Sequence, residues 1–291
     1  MSNKYEFGEE MDKKNEPIRQ HTVPKVYLRK FSDKEFLWVY LKELNEYKYL
    51  NINYTSVHKD FYTIDFENEK DYRIENFFGE NIETLYNTLI DKIVNYNFVT
   101  NMDKYALALY VSFQYLRTQR IRKIHDKIVS QMNIQTIDIC DDILRVQKRD
   151  THDSKYYHEK FHSYAFNETL PKEASLNFML RNAKDLTDNI KNKDFFFFEA
   201  PNELQFVTSD NPCILVQSGM RSIYGRGFGN SEILFPLTCN ISLYITGSNN
   251  LILHEKIGRD GVREINKATT YEAEKYIYAK DKYFLESLIG K

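Results

Sequence analysis

The sequence has little cysteine and no arrangement of cysteines that would bind a metal. Only three cysteines occur among its 291 residues, Cys140, Cys213 and Cys239, and none belongs to a C-x-x-C pair. Single, widely spaced cysteines are typical of a reducing compartment, and they exclude both a disulfide framework and a cysteine-rich zinc site. We therefore expect a cytoplasmic protein that is stabilised by its hydrophobic core.

Long apolar runs and a strong net charge are also missing. No segment approaches the run of about 18 apolar residues that a membrane span needs, so we expect no membrane partner. Residues 1–18 lack the apolar region of a secretory signal and predict a flexible tail. The net charge is only -2, which does not indicate a nucleic-acid partner. It does not exclude a local basic patch. The hydrophobic content of 42% is enough for one large core, and we predict a single domain over residues 19–291.

Hydrophobic periodicity predicts strands first, then helices, then strands and a final helix. Runs rich in β-branched and aromatic residues predict strands early in the chain, at 26–31, 36–41 and 60–66. Helical spacing of apolar residues predicts four helices, over 82–96, 103–131, 135–149 and 172–191. Strands are predicted again at 194–200, 204–209, 213–218, 232–237 and 241–246, and a helix from residue 261 to the end. This order predicts an α+β fold, with a helical layer packed against a mainly antiparallel sheet.

One short motif suggests a zinc site. H-E-x-x-H occupies residues 158–162, and on a helix it would place His158 and His162 on one face beside Glu159 as a general base. A catalytic zinc needs a third protein ligand, but the glycine and third histidine of the longer zinc-protease motif are absent. We therefore expect no metal site here, with a zinc metallopeptidase kept as an alternative.

The stretch RQHTVPKVYLRKFS, residues 19–32, is more specific than the zinc motif. It resembles the signature of DUF4238, a family of unknown function, which reads approximately R-Q-H-x-V-P-x-x-Y-L-x-x-F. Other stretches resemble shared elements of that family in the same order: KDFYT (59–63), RIENFFGENIETL (73–85), FQYLRTQR (113–120), FVTSDNPCILV (206–216) and LFPLTCNISLYI (234–245). The resemblance covers residues 19–289 and departs from the family pattern at Gln119, where the family usually has proline. The resemblance implies which residues this sequence shares with the family. The family has no established chemistry that could be transferred to them.

Two of the shared stretches supply a histidine and an arginine. His21 lies on a segment whose backbone is restricted by a nearby proline, so it is a candidate general acid or base, or a buried residue that staples the N-terminal segment. Arg117 borders the apolar stripe of the long helix and needs an anionic partner, which is either a ligand or one of Glu75 and Glu83. Candidate substrate-binding residues in the same stretches are Gln20, Gln114 and Arg120.

A third shared stretch, TSDNP at residues 208–212, ends a predicted strand with Asp210. A turn before proline explains this composition, and a carboxylate displayed at a strand end is the functional interpretation. Ser209 lacks the G-x-S-x-G setting of a nucleophile, and we expect it to bind substrate.

The predicted catalytic residues would supply a base, an anion clamp and orienting carboxylates, and they are His21, Arg117, Asp210 and Glu83. Such parts suit the hydrolysis of phosphodiesters or related esters. We therefore predict a cytosolic, nuclease-like hydrolase with nucleic acid as its partner, in a bacterial defence or toxin setting. A non-catalytic module that senses a ligand or binds a partner protein is the alternative. The sequence defines neither a cofactor nor an oligomeric state.

Overall fold

The computed structural model shows an α+β protein, as the sequence predicts, and describes residues 19–66, 69–98, 100–147, 172–216 and 232–290. Its strands are β1 (Arg19–His21), β2 (Phe36–Leu41), β3 (Glu46–Asn51), β4 (Val57–Lys59), β5 (Ile64–Phe66), β6 (Glu69–Asp71), β7 (Asp194–Glu199), β8 (Thr208–Ser209), β9 (Ile214–Val216), β10 (Glu232–Pro236), β11 (Ile241–Thr246), β12 (Ile252–Lys256) and β13 (Tyr276–Ala279). Its α-helices are α1 (Lys25–Leu28), α2 (Arg73–Phe77), α3 (Thr84–Val94), α4 (Asn101–Leu116), α5 (Gln119–Gln147), α6 (Lys172–Ile190), α7 (Arg259–Glu272) and α8 (Lys282–Ile289). Short 3₁₀ turns cover Arg29–Phe31 and Ile52–Tyr54, and a π-helical turn, Phe78–Glu83, joins α2 to α3.

The strands divide between two larger sheets where the sequence predicted one. The first sheet has the order β12-β7-β11-β10-β9 and the second has the order β3-β2-β13-β8. Pairing is antiparallel throughout both sheets except between β12 and β7, which run parallel. Two ribbons, β1–β4 and β5–β6, complete the described strands. The mainly antiparallel pairing is therefore confirmed.

Aromatic side chains of the helical layer pack into the core between these sheets. Tyr27 on α1 stacks on Phe235 of β10 at 5.3 Å, and Tyr86 on α3 stacks on Tyr110 of α4 at 4.6 Å. The Tyr27 hydroxyl lies 2.6 Å from the Thr208 hydroxyl and donates a hydrogen bond to the carbonyl of Pro236. Because Thr208 belongs to one larger sheet and Pro236 to the other, Tyr27 ties both sheets to α1.

The strand predicted at residues 26–31 is wrong, because this segment forms α1 and a 3₁₀ turn. Pro24, with φ near -59°, precedes the helix, where a proline is readily accommodated. Tyr27, Leu28 and Phe31 are fully buried, and their spacing of one and three residues fits one helical face. The β-branched and aromatic composition indicated burial correctly but gave the wrong element.

The prediction of one unbroken helix over residues 103–131 is also wrong. Helix α4 ends at Leu116 and α5 begins at Gln119, with the Thr118 hydroxyl accepting a hydrogen bond from the backbone of Ile121. A hydroxyl that accepts this bond can start a new helix without glycine or proline. The break leaves Arg117 at the junction of the two helices.

Two other predicted boundaries need correction. Between residues 60 and 66, only Ile64–Phe66 forms a strand. The helix predicted from residue 261 onward is interrupted by β13, which runs through the middle of the second sheet. Short strands of this kind depend on partners far away in the sequence, and local periodicity does not reveal them.

Asp194 organises the loop that returns from β11 to β12. Its carboxylate accepts hydrogen bonds from the backbones of Asn249 and Leu251 and from the Asn249 side chain. Gly247 begins this loop with a φ of +57°, and a Cβ atom on it would lie 2.0 Å from the Asp194 carboxylate. Only glycine fits this position, because both the backbone angle and the space exclude a side chain.

Replacing Gly247 by alanine is expected to lower the free energy of unfolding by about 1–3 kcal/mol, because the new methyl group strains the backbone and displaces Asp194. Urea unfolding followed by circular dichroism measures the loss. Gly79→Ala is the control, since nothing lies within 4 Å of its Cβ position and a small gain in stability is expected there. Equal stabilities of the two variants would contradict the prediction.

Candidate functional site

Arg117 is the centre of a buried polar cluster at the junction of α4 and α5. Its Nη2 donates a hydrogen bond to the carbonyl of His21 at 2.7 Å, and its Nε donates to the Tyr62 hydroxyl at 3.0 Å. The guanidinium lies 4.4 Å from the centre of the Phe78 ring, and Nη2 lies 3.7 Å from a carboxylate oxygen of Glu83. The anionic partner that the sequence requires for Arg117 is therefore Glu83, on the π-helical turn.

His21 contacts Arg117 through its backbone carbonyl, which accepts the hydrogen bond from the guanidinium. Its ring Nε2 lies 3.2 Å from the carbonyl of Ile52, and since a carbonyl only accepts, Nε2 carries the proton and donates. Burial, together with the positive charges of Lys25 and Arg117, lowers the pKa of His21 to about 4. The imidazole is thus neutral at pH 7, and so low a pKa makes it a weak general base.

The two glutamines predicted to bind substrate are both buried. Gln20 donates to the Thr63 hydroxyl at 2.8 Å and ties β1 to the turn before β5. Gln114 donates to the carbonyl of Thr22 at 3.5 Å. Its side-chain oxygen has no hydrogen-bond partner among the described residues. Gln20 therefore acts within the protein, while Gln114 keeps an unused acceptor.

Glu75, on α2, lies near Arg117, and the pKa of its carboxyl group is unusually high. This pKa is raised to about 7, mainly by burial and in part by the charge of Glu83, while Arg117 opposes the shift. One carboxylate oxygen is buried without a hydrogen-bond partner in the described part of the chain. A carboxyl group with a pKa near neutrality can both give and take a proton at pH 7.

Lys25, at the start of α1, brings a second positive charge to the same place. Lys25 is half-buried, and the charge of its ammonium group acts on both His21 and Glu75. Within the described ranges it makes no direct hydrogen bond or ion pair. An unpaired lysine beside an incompletely satisfied arginine creates a local site for an anion.

Asp210 lies outside this cluster. Its two carboxylate oxygens accept hydrogen bonds from the backbones of Glu274 and Lys275, at 2.9 and 2.8 Å. Burial raises its pKa to about 6. Among the described residues it has no hydrogen bond to any other predicted catalytic residue, and it secures the turn that leads from α7 into β13.

Ser209 and Arg120 belong to the same neighbourhood as Asp210. The buried Ser209 hydroxyl accepts a hydrogen bond from the backbone of Asn211 at 3.1 Å. Arg120 donates to the carbonyl of Glu272 at 3.0 Å and to its carboxylate at 2.5 Å. The contacts of Arg120 with Glu272 hold the end of α7. The structure thus divides the predicted site residues into two groups, and the Arg117 cluster contains His21, Gln20, Gln114 and Glu83.

Sequence reasoning missed several members of the Arg117 cluster. Tyr62 hydrogen-bonds Arg117 across 55 residues of sequence, and Phe78 packs on the same guanidinium. Both lie in stretches shared with the family, KDFYT and RIENFFGENIETL, and this was the only signal that could have marked them. Lys25 lies in the N-terminal shared stretch, but nothing in its local sequence distinguishes it from a surface lysine.

The zinc motif lies outside the described residues, so the role of His158, Glu159 and His162 stays a prediction. Within the described ranges, no group of three or more His, Cys, Asp and Glu side chains is placed to hold a metal ion. Cys213 and Cys239 are free thiols. None of the helices in those ranges has the length and apolar character needed to cross a membrane.

The fold and the Arg117 cluster define an α+β protein with a buried arginine–glutamate site. The chain matches the family DUF4238, described as a protein of unknown function, over residues 19–283, and it belongs to this family. The match spans nearly the whole described chain and includes both groups of predicted site residues. No curated protein matches the chain, and no solved structure matches it.

Proposed function

We propose that this protein is a cytosolic, nuclease-like hydrolase that cleaves phosphodiesters, with nucleic acid as its substrate. The observation that supports this proposal most strongly concerns Glu75. Its pKa of about 7 and its unpaired carboxylate oxygen suit proton transfer at neutral pH. It lies beside Arg117 and Lys25, whose positive charges suit the phosphate of a diester.

Each side chain of the cluster takes one role in this proposal. Glu75 exchanges a proton with the reacting oxygen, as general acid or base. Arg117 has one guanidinium nitrogen, Nη1, without a partner among the described residues, and this donor faces the phosphate together with Lys25. Glu83 fixes the orientation of Arg117 through its contact at 3.7 Å. Donors held in a buried site stabilise the charge that develops in the transition state.

The proposal moves two predicted catalytic residues to supporting roles. His21 positions Arg117 through its carbonyl, and its pKa of about 4 makes it a poor base at pH 7. Asp210 supports the turn before β13 through two backbone hydrogen bonds. A role in bacterial defence or in a toxin system stays a prediction from the sequence.

A binding module without catalysis is the second candidate, and the burial of the site favours it. Arg117 is only 2% exposed, and Phe78, which covers its guanidinium, is fully buried. The space beside Arg117 that Thr118, Arg122 and His125 line is about 10 Å³ and holds about one water molecule. A site this closed favours a module without catalysis over an enzyme that admits a nucleic-acid strand.

Incubating the purified protein with labelled RNA and DNA oligonucleotides is expected to produce cleavage at pH 7. The reaction is run with Mg²⁺, Mn²⁺, Zn²⁺ and with a chelator, and products are separated by gel electrophoresis. Glu80→Gln is the matched control, because this exposed glutamate on the π-helical turn lies among the same elements. Absence of cleavage under every metal condition would contradict the hydrolase, and binding without cleavage would favour the sensing module.

A further inference from the structure

Three side chains on one face of α4, counting its C-terminal cap Arg117, each bury a polar atom without a partner. They are the Tyr110 hydroxyl, the Gln114 side-chain oxygen and Nη1 of Arg117, and none has a hydrogen bond among the described residues. Each side chain is at least 98% buried. Their spacing of four and three residues places them on the same helical face. Unsatisfied buried polar atoms are rare in native proteins, so three on one face indicate that something else satisfies them.

A fourth unpaired atom belongs to α2. It is a carboxylate oxygen of Glu75. The charges of Arg117 and Glu83 both act on the Tyr110 hydroxyl, and the charge of Glu75 acts on Arg117. Arg117 therefore lies within electrostatic range of both Tyr110 and Glu75, at the place where the end of α4 meets the π-helical turn.

Their chemistry specifies what a ligand must offer. Arg117 and Lys25 only donate hydrogen bonds, and phosphate oxygens satisfy them. The oxygen of Gln114 only accepts, and a phosphodiester has no hydrogen to donate to it. The Tyr110 hydroxyl does both. A hydroxyl group next to the phosphate would donate to Gln114 and also accept from Tyr110.

We propose that the face formed by Tyr110, Gln114 and Arg117 recognises the 2′-hydroxyl beside the phosphodiester, so that the substrate is RNA. This inference rests on the proposed function, because it places the phosphate at Arg117 and Lys25. The 2′-hydroxyl is the group by which a protein distinguishes RNA from DNA at a given position. Neither a deoxyribose within a DNA strand nor the diester phosphate beside it supplies the donor that Gln114 needs.

In this proposal, the π-helical turn is the element that moves to admit the ligand. It contributes both Phe78, which packs on Arg117, and Glu83, which contacts the same guanidinium. Glu83, Glu75 and Lys25 are partly exposed and form the rim, while the atoms on α4 lie deeper. π-Helical turns occur frequently at functional sites, and movement of this one would open the α4 face.

Binding of four matched oligonucleotides to the full chain tests the inference, and fluorescence anisotropy without metal gives the affinities. RNA is expected to bind about tenfold more tightly than DNA, 2′-fluoro RNA and 2′-O-methyl RNA, because only RNA donates from the 2′ position. Gln114→Met keeps the side-chain length and removes both the acceptor and the long hydrogen bond to the Thr22 carbonyl. It is expected to weaken RNA binding about tenfold and leave DNA binding unchanged. Tyr110→Phe is the second variant and has the same expected result.

Cleavage assays with the same oligonucleotides separate this inference from the proposed function. Equal binding and cleavage of RNA and DNA would overturn the hydroxyl site and leave the hydrolase standing, with ordered water as the partner of the α4 atoms. RNA-selective binding without cleavage would support the site and contradict the hydrolase. Weakening of RNA and DNA alike by Gln114→Met would show a structural role and overturn the inference. If both variants fail to fold, the comparison of RNA with 2′-fluoro RNA on the wild-type chain still decides.

Discussion

Replacing Arg117 by alanine is expected to lower the free energy of unfolding by about 3–5 kcal/mol. The substitution removes the hydrogen bonds to the His21 carbonyl and the Tyr62 hydroxyl and leaves a space beneath Phe78. It also leaves the carboxylates of Glu75 and Glu83 together without the positive charge between them. Each buried group that loses its partner is left desolvated and unsatisfied, and these losses accumulate at one position.

Urea unfolding measures this loss as a lower midpoint at an unchanged slope. Arg73→Ala is the control, because Arg73 pairs with Asp71 in water and its side chain is 88% exposed, so a change within about 0.5 kcal/mol is expected. Arg117→Lys keeps the charge but not the planar donors that reach His21 and Tyr62 together, and it should also be clearly destabilised. A loss below about 1 kcal/mol for Arg117→Ala would show that the buried guanidinium is not a structural centre.

Replacing Glu75 by glutamine is expected to lower the rate of phosphodiester cleavage by about 10²–10⁴-fold. Glutamine keeps the shape of the side chain but cannot exchange a proton. The pH–rate profile of the wild-type protein should show an inflection near pH 7, because the pKa of Glu75 lies there. The variant should lose this inflection. A profile that keeps it would assign the proton transfer to another group.

The same substitution should stabilise the protein at alkaline pH, which gives a readout independent of activity. The pKa of Glu75 rises from an ordinary 4.5 to about 7 on folding, so the folded protein binds more protons than the unfolded chain between these values. Stability therefore falls as the pH rises from about 4.5 to 7, and the penalty is complete above pH 7. Because Glu75 is partly exposed, solvent screening reduces this penalty, and we expect Glu75→Gln to gain about 1–2 kcal/mol at pH 8.

Glu80→Gln is the control for both measurements with Glu75. Glu80 is exposed on the neighbouring π-helical turn, so its replacement should change neither cleavage nor stability. Unfolding at pH 4 provides a second control, because Glu75 is protonated there in both states and the glutamine variant should match the wild-type protein. Equal destabilisation of the Glu75 variant at pH 4 and pH 8 would contradict the raised pKa.

The local sequence pattern predicted those helices and strands whose type is determined by their own residues. Strands β2 and β11 have the predicted limits of 36–41 and 241–246, because most of their β-branched, aromatic and aliphatic side chains are buried or half-buried in the sheets. The break at Arg117 and Thr118 could not be predicted in this way. It depends on a hydroxyl that caps the next helix and on a guanidinium whose partners come from β1 and the turn before β5.

The candidate site was predicted to the extent that its residues lie in shared stretches. His21, Arg117 and Glu83 come together as the sequence hypothesis requires. Asp210 was grouped with them because a carboxylate after a strand is a common functional signal, yet its partners are backbone groups 64 and 65 residues later. Partners at such distances, and the pKa of Glu75, depend on tertiary burial and leave no mark on local composition.

The central place of β13 has a consequence for how the chain folds during synthesis. Strand β13 lies between β2 and β8, and its Tyr278 bonds to Ser56 across 222 residues of sequence. At the usual speed of translation, a ribosome needs roughly 10–45 s to add that many residues. Throughout this interval the β2–β3 hairpin presents an unpaired edge to other nascent chains. Such high contact order makes completion of the second sheet a late and slow step.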